Sequence, residues 1–170
     1  GSDAYLSDAE IQEMPYATIH IPTCMGAVVL AYNLPEVKDL KLSGEVIADI
    51  YLGKITKWND AKIKELNPGI ILPDKELTPV YRSDGSGTTF VFSDYLTKVS
   101  NDWKDNMGTG KSLKWPVGLA AKGNPGVTGT ISQTPGSIGY IGSESAFSLN
   151  IPMAQMKNSS GHFLTPNTES

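Results

Sequence analysis

The sequence is poor in the residues that build disulfide frameworks or metal centres. It holds one cysteine, Cys24, and two histidines, His20 and His162, among 170 residues. A single thiol cannot form an internal disulfide, and these three side chains are too few for a zinc cluster. We therefore expect no metal or other cofactor. We interpret Cys24 as a small buried residue near the start of a strand and His20 as a structural residue.

Long apolar runs and a strong excess of one charge are also missing. No run approaches the ~18 apolar residues of a membrane span, and no signal peptide is recognisable at the start. Fourteen Lys plus Arg against 18 Asp plus Glu give a net charge of −4, which disfavours a broad nucleic-acid-binding surface. We expect neither a nucleic-acid partner nor a membrane span in this chain.

What the sequence does contain is a globular composition with many turn-forming residues. Apolar residues make up 39%, charged residues 19%, and there are 17 Gly and 11 Pro. Strands are predicted at Tyr16–Ile21, Ala27–Tyr32, Leu77–Tyr81 and Ser137–Ile141. Helices are predicted from a Ser43 cap to a Gly53 stop, from an Asn59 or Asp60 cap to Pro68, at Gly87–Val99 and at Val127–Gln133. This alternation indicates an α/β domain with a mixed, largely parallel sheet.

The most informative segment is Tyr-Arg-Ser-Asp-Gly-Ser-Gly-Thr-Thr-Phe at positions 81–90, between a predicted strand and a predicted helix. Its two glycines let a ligand approach the main chain. The N–H groups of the first helical turn and the positive end of the helix dipole favour an anion. Further donors are supplied by Arg82, Ser86, Thr88 and Thr89. The segment therefore predicts an anion site. The alternative is an ordinary capped helix in which Arg82 pairs with Asp84.

Two other motifs resemble enzyme signatures, and neither fits its pattern. Gly-Thr-Gly-Lys-Ser at 108–112 lacks the first glycine of a phosphate-binding P-loop, because position 105 is Asp105, and a polar segment precedes it. We predict a loop there. Gly-Ser-Gly at 85–87 lacks the Gly-x-Ser-x-Gly spacing of a nucleophile elbow. A hydrolase whose histidine is distant in sequence stays open as an alternative.

Several motifs follow one another across nearly the whole chain. They are Ser2-Asp3-Ala4, Ile21-Pro-Thr, Gly26–Asn33, Leu42–Lys54, Trp58-Asn59, Arg82–Phe92, Trp115-Pro116, Lys122–Asn124 and Gly136–Tyr140. In this order and at this spacing they resemble the phosphate-binding protein family of bacterial phosphate ABC importers. The resemblance implies a periplasmic-binding-protein-like fold of two three-layer α/β lobes that clamp inorganic phosphate. It also implies a receptor without catalysis that serves ABC permease subunits, in the periplasm or at the cell surface with or without a lipid anchor.

The resemblance also implies roles for individual residues. The phosphate ligands in this chain would be Asp3, Arg82, Ser86, Gly87 and Thr88. Asp3 would be the cleft carboxylate that accepts a proton from the ligand, and Asp84 would orient Arg82. A receptor for another oxyanion, sulfate or molybdate, and an anion-binding hydrolase are the alternatives. Asp3 favours protonated phosphate over the first of them.

The length of the chain suggests which part of such a receptor it represents. Family members are nearly twice as long, so we expect mainly the second lobe, as a single α/β domain. Residues 1–25 would be a crossover segment near the hinge, residues 26–150 the second lobe, and residues 151–170 the return crossover and C-terminal tail.

Overall fold

The computed structural model describes residues 4–23 and 26–167. Within these ranges the helices are α1 (Asp8–Gln12), α2 (Gly44–Tyr51), α3 (Ala61–Leu66), α4 (Gly87–Val99), α5 (Asn101–Asn106), α6 (Gly123–Gln133) and α7 (Ser143–Ser148). The strands are β1 (Val28–Tyr32), β2 (Lys41–Leu42), β3 (Thr78–Arg82), β4 (Leu119–Ala121), β5 (Ser137–Gly142), β6 (Gln155–Lys157) and β7 (Phe163–Leu164).

The main sheet has four strands in the order β1-β5-β3-β4. β3 pairs in parallel with β4 on one side and with β5 on the other, and β1 pairs with β5 antiparallel. A smaller sheet joins β2, β6 and β7. The sheet is therefore mixed and mostly parallel, which confirms the predicted fold class.

Alternating side chains of β1 separate the core into two layers, one on each face of the main sheet. Leu30 and Tyr32 belong to a cluster that includes residues of α2, α4 and α5. Val29 and Ala31 belong to a second cluster formed with residues of α6 and α7. Because successive strand residues point to opposite faces, helices cover the sheet on both sides. The result is a three-layer α/β arrangement.

The predicted helices that carry clear caps are confirmed. Ser43 accepts a hydrogen bond from Val46 N at 3.4 Å. Gly53, with φ of +74°, ends the helical conformation after α2. Asp60 caps α3 by accepting from Lys62 N. α4 has the predicted bounds, whereas α6 begins at Gly123, four residues before its predicted start.

The predicted strand at Tyr16–Ile21 is wrong, because residues 16–21 form no strand. A strand needs a partner for its backbone groups, and these residues find none of the pairing that the main sheet offers. The side chains of Tyr16, Ile19 and Ile21 are 84%, 77% and 69% exposed. His20 accepts a hydrogen bond from Leu6 N at 3.0 Å.

Two further predictions concern Cys24 and the 108–112 motif. Cys24 lies outside the described residues, so its predicted burial stays a prediction. The Gly-Thr-Gly-Lys-Ser motif is a loop between α5 and β4, as predicted. In the described part of the chain, no helix combines the length and the apolar character that a membrane span requires.

Candidate functional site

The candidate site lies at the carboxyl edge of the main sheet, where two parallel strands end side by side. Arg82 at the end of β3 is in register with Ala121 at the end of β4. A short turn leads from β3 into α4, and another leads from β4 into α6. In open parallel sheets, ligands bind at this edge, next to the N-termini of the helices that follow the strands.

The turn before α4 leads into the N-terminal end of a 13-residue helix. Ser86 is its N-cap, in an extended conformation, and its Oγ accepts a hydrogen bond from Thr89 N at 3.1 Å. The first backbone bond of the helix runs from Phe90 N to Ser86 O at 3.1 Å. The N–H groups of Gly87 and Thr88 precede this bond and therefore point out of the helix end. Together with the helix dipole, they favour a negative charge there.

The side chains of this turn are well packed. Ser86 and Thr88 are 4% and 3% exposed. Ser86 N donates to Lys111 O at 2.9 Å, so the 108–112 loop supports the cap from outside. Such packing fixes the positions of the hydroxyl groups before any ligand arrives, which lowers the entropic cost of binding.

Among the described residues, Asp84 and Asn124 orient the side chain of Arg82. Its Nε and Nη2 donate to the two carboxylate oxygens of Asp84 at 2.8 and 2.6 Å, a bidentate pair. Its Nη1 donates to Asn124 Oδ1 at 3.0 Å. The side chain is only 11% exposed. The guanidinium is therefore preorganised at the edge of the sheet.

Asp84 links the two turns as well as orienting the arginine. One of its oxygens also accepts from Gly123 N, at 3.0 Å, at the start of α6. The Arg82 guanidinium, followed by the Gly123 N–H, holds the pKa of the Asp84 carboxyl well below its usual range. Asp84 is thus an ionised anchor at any pH near neutrality.

Tyr140 lies beneath the turn, on β5. Its hydroxyl accepts from Arg82 N at 3.0 Å and contacts Thr89 Oγ1 at 2.8 Å. The ring stacks on Phe92 with centroids 4.3 Å apart. Burial raises the pKa of this phenol, so it stays protonated and can both donate and accept. Tyr140 therefore connects the end of β3 to the first turn of α4.

The structure places the predicted residues in one segment that runs from the end of β3 into the first turn of α4; they are Arg82, Asp84, Ser86, Gly87 and Thr88. The Ser86 cap and the ion pair of Arg82 with Asp84, which an ordinary capped helix also predicts, are both present. Asp3 lies outside the described residues, so its role stays a prediction.

Sequence reasoning gave no role to Asn124 or Tyr140. Asn124 and Tyr140 each lie in a segment that carried the family resemblance, Lys122–Asn124 and Gly136–Tyr140. Their contacts with Arg82, however, join elements that are distant in sequence. Only the pairing of β3 with both β4 and β5 brings them to Arg82.

The arrangement offers little for hydrolysis. Among the residues that the structure describes, the Ser86 hydroxyl is bonded to Thr89 N and to no histidine. A serine nucleophile needs a base within hydrogen-bonding reach. Within those same residues, no group of three or more His, Cys, Asp or Glu side chains is placed to hold a metal ion.

The sequence is similar to proteins whose names state phosphate binding. A family model described as a PBP superfamily domain matches residues 1–169. The phosphate-binding protein PstS of Pasteurella multocida is 49% identical over 154 residues, which cover 89% of this chain and 45% of that protein. PstS of Methanocaldococcus jannaschii is 42% identical, over 89% of this chain and 41% of its own length.

Solved structures share the fold. A high-affinity periplasmic phosphate-binding protein, solved with phosphate bound, superposes with a TM-score of 0.78 at 23% identity, covering 97% of this chain and 48% of that one. A phosphate-binding protein from Stenotrophomonas maltophilia gives a TM-score of 0.71 at 20% identity, over 93% of this chain and 49% of that one. The chain thus spans less than half the length of the curated relatives and solved chains named here.

Proposed function

Because the chain belongs to the PBP superfamily, we propose that it forms the phosphate-binding lobe of a receptor that supplies a phosphate ABC permease. The observation that carries this proposal is that an oriented guanidinium, Arg82, lies next to the N-terminal turn of α4. The receptor acts in the periplasm or at the cell surface. It binds and releases its ligand and performs no catalysis.

The chemistry of the turn suits a tetrahedral oxyanion. The backbone N–H groups of Gly87 and Thr88 donate in one direction, and the hydroxyls of Ser86 and Thr88 add donors beside them. Arg82 supplies a positive charge and a planar set of N–H groups that match two oxygens of one anion. Several charge-assisted bonds to one small ligand give affinity without an apolar pocket.

The exposed face of residues 4–23 supports the two-lobed part of the proposal. Only Ala4 is buried in this range, while large apolar side chains such as Tyr5, Tyr16 and Ile19 are at least 75% exposed. Apolar surface of this extent is normally covered by another part of a protein. We assign this apolar surface to contact with the remaining lobe of the receptor. In this division of the chain, residues 26–150 form the lobe, and residues 1–25 and 151–170 form the crossovers and the C-terminal tail.

Selectivity for phosphate is assigned to Asp3. A carboxylate beside an anion is repulsive unless the anion donates a proton to it. Phosphate carries a proton near neutral pH and sulfate carries none, so Asp3 would accept a hydrogen bond from phosphate and repel sulfate. Asp3→Asn, which can also donate, should then admit sulfate and keep phosphate binding.

A titration followed by two-dimensional ¹H–¹⁵N NMR tests the proposal on this chain, which at 18.2 kDa is small enough for the method. Because donors from a second lobe would be absent, we expect binding at millimolar rather than micromolar phosphate, with shifts concentrated at residues 85–89. Sulfate and molybdate at equal ionic strength are the comparison ligands. If phosphate moves no signal in this turn at any concentration, or if molybdate binds more tightly, the assignment to phosphate is wrong.

A further inference from the structure

Arg82 donates one of its hydrogen bonds to a residue to which neither the sequence nor the resemblance gave a role. Asp84 receives Nε and Nη2, while Nη1 donates to Asn124 Oδ1 at 3.0 Å. Asn124 is the second residue of α6, and its neighbour Gly123 donates its N–H to Asp84 at 3.0 Å. Arg82, Asp84, Gly123 and Asn124 thus form a closed hydrogen-bonded ring that joins β3 to α6.

The chemistry of this ring fixes the orientation of the Asn124 amide. A guanidinium has only donors, so it must face the amide oxygen and not the amide nitrogen. Asn124 therefore behaves toward Arg82 as a carboxylate would, but without the charge. Asp84 already balances the single positive charge of Arg82 at 2.6 Å. A carboxylate at position 124 would add a negative charge on the Nη1 side of Arg82, beside the anion.

We propose that Asn124 is a positioning residue that determines anion affinity by fixing the third nitrogen of Arg82 with a neutral acceptor. The inference rests on the proposed function, since it concerns the same anion. It predicts that the charge at position 124 matters more for binding than the presence of the hydrogen bond. A merely structural role predicts the opposite order, because a carboxylate preserves the bond and a methyl group does not.

The experiment compares Asn124→Asp with Asn124→Ala in the 170-residue chain, using inorganic phosphate as the probe and NMR shifts of residues 85–89 as the readout. We expect Asn124→Asp to weaken phosphate binding at least about tenfold, because a like charge then stands beside the anion. Asn124→Ala should weaken it only about two- to threefold, by loosening one contact of the arginine.

Two dependences separate charge from shape. The loss of phosphate affinity caused by Asn124→Asp should be larger at pH 8 than at pH 6, because phosphate carries more negative charge at pH 8. This loss should become smaller as salt is added. The ratio of the wild-type phosphate affinity to that of Asn124→Ala should not change with pH. Asn101→Asp adds the same charge at the start of α5, beyond the far end of the 13-residue α4, and should leave binding unchanged.

Each outcome decides the matter. If the wild-type chain does not bind phosphate, the proposed function fails and this inference fails with it. If the wild-type chain binds phosphate but Asn124→Asp binds no more weakly than Asn124→Ala, the inference alone is overturned. Thermal unfolding is recorded for each variant, and Asn124→Ser replaces the alanine variant if that one does not fold.

Discussion

The turns after β3 and β4 occupy the same edge of one sheet, yet they are built in different ways. The turn before α4 is capped by Ser86, whose side chain accepts from Thr89 N. The turn before α6 has Lys122 at the cap position, which makes no side-chain cap hydrogen bond, and Gly123 with φ of +69°. Its first polar groups are directed to Asp84 and Arg82 instead. In the proposed function, the turn before α4 donates to the anion, and the turn before α6 holds the arginine in place.

Removing Arg82 should have the largest effect, because both turns depend on it. Charge-assisted hydrogen bonds contribute ~1.5–3 kcal/mol each, so Arg82→Ala should weaken phosphate binding at least tenfold. Arg82→Lys should restore only part of the affinity, since an ammonium group cannot reproduce the planar set of donors. Calorimetric or NMR titration measures both variants, and an unchanged affinity in Arg82→Ala would exclude Arg82 from the site.

Tyr140→Phe should have the second-largest effect on phosphate binding, because it removes the hydroxyl that links the end of β3 to the first turn of α4. The change leaves Arg82 N without its acceptor and Thr89 Oγ1, in a residue that is 1% exposed, without its partner. Leaving buried polar groups unpaired costs about 1–3 kcal/mol. Urea unfolding should show this loss, and phosphate affinity should fall several-fold.

A matched tyrosine controls for the loss of a buried hydroxyl. Tyr32 is also buried, and its hydroxyl donates to Val37 O at 3.1 Å on the β1 side of the sheet. Tyr32→Phe should lower stability but leave phosphate affinity unchanged. An equal loss of affinity in both variants would mean that Tyr140 acts through global stability alone.

Ser86→Ala should have a smaller effect, which separates capping from ligand binding. Loss of a serine N-cap costs ~1 kcal/mol of stability, and loss of one hydroxyl donor weakens binding by a few-fold. Ser100 caps α5 in the same way, accepting from Trp103 N at 3.2 Å. Ser100→Ala should therefore match the stability loss with no change in affinity. If both serine variants bind phosphate as the wild type does, the Ser86 hydroxyl does not contact the ligand.

The smallest effect expected is that of pH on the link between the turns. Hydrogen bonds from Arg82 and from Gly123 N–H lower the pKa of Asp84 in the folded state. Ionised Asp84 therefore contributes fully to stability above its unfolded pKa, near 3.8, and the contribution is lost only as the pH falls below that value. Sulfate has no proton to lose between pH 5 and 8. Its weak binding should therefore vary less than about twofold over that range. A stepwise change in sulfate affinity between pH 5 and 8 would show that a group other than Asp84 determines the orientation of Arg82.

Local patterns in the sequence predicted the bounds of α4 and the Arg82–Asp84 pair. Both lie within a short stretch of the chain, where spacing alone determines which groups meet. The contacts of Asn124 and Tyr140 with Arg82 were not predicted, because they depend on the order of the strands in the sheet. β4 was missed because three residues give too little alternation to detect a strand.

The wrong strand at Tyr16–Ile21 has a different cause. Its alternating apolar residues satisfy the local pattern for a strand, but the side chains of Tyr16 and Ile19 stay 84% and 77% exposed. A local pattern reports what a segment could bury and does not report whether a partner is available. Where an element depends on a distant partner, the sequence of the segment alone is insufficient.

The pairing of β1 with β5 has a consequence for how the chain acquires its shape during synthesis. Val28 pairs with Gly142 and Tyr32 with Ile138, so the first strand of the main sheet cannot pair until the last strand of that sheet has been made. β3 also lacks one of its two neighbours until β5 is made. Contacts between such distant segments form slowly, because a long loop must close first. We therefore expect β1, whose last four residues are buried in the finished sheet, to leave the ribosome as an unpaired apolar strand that remains exposed to aggregation until β5 follows.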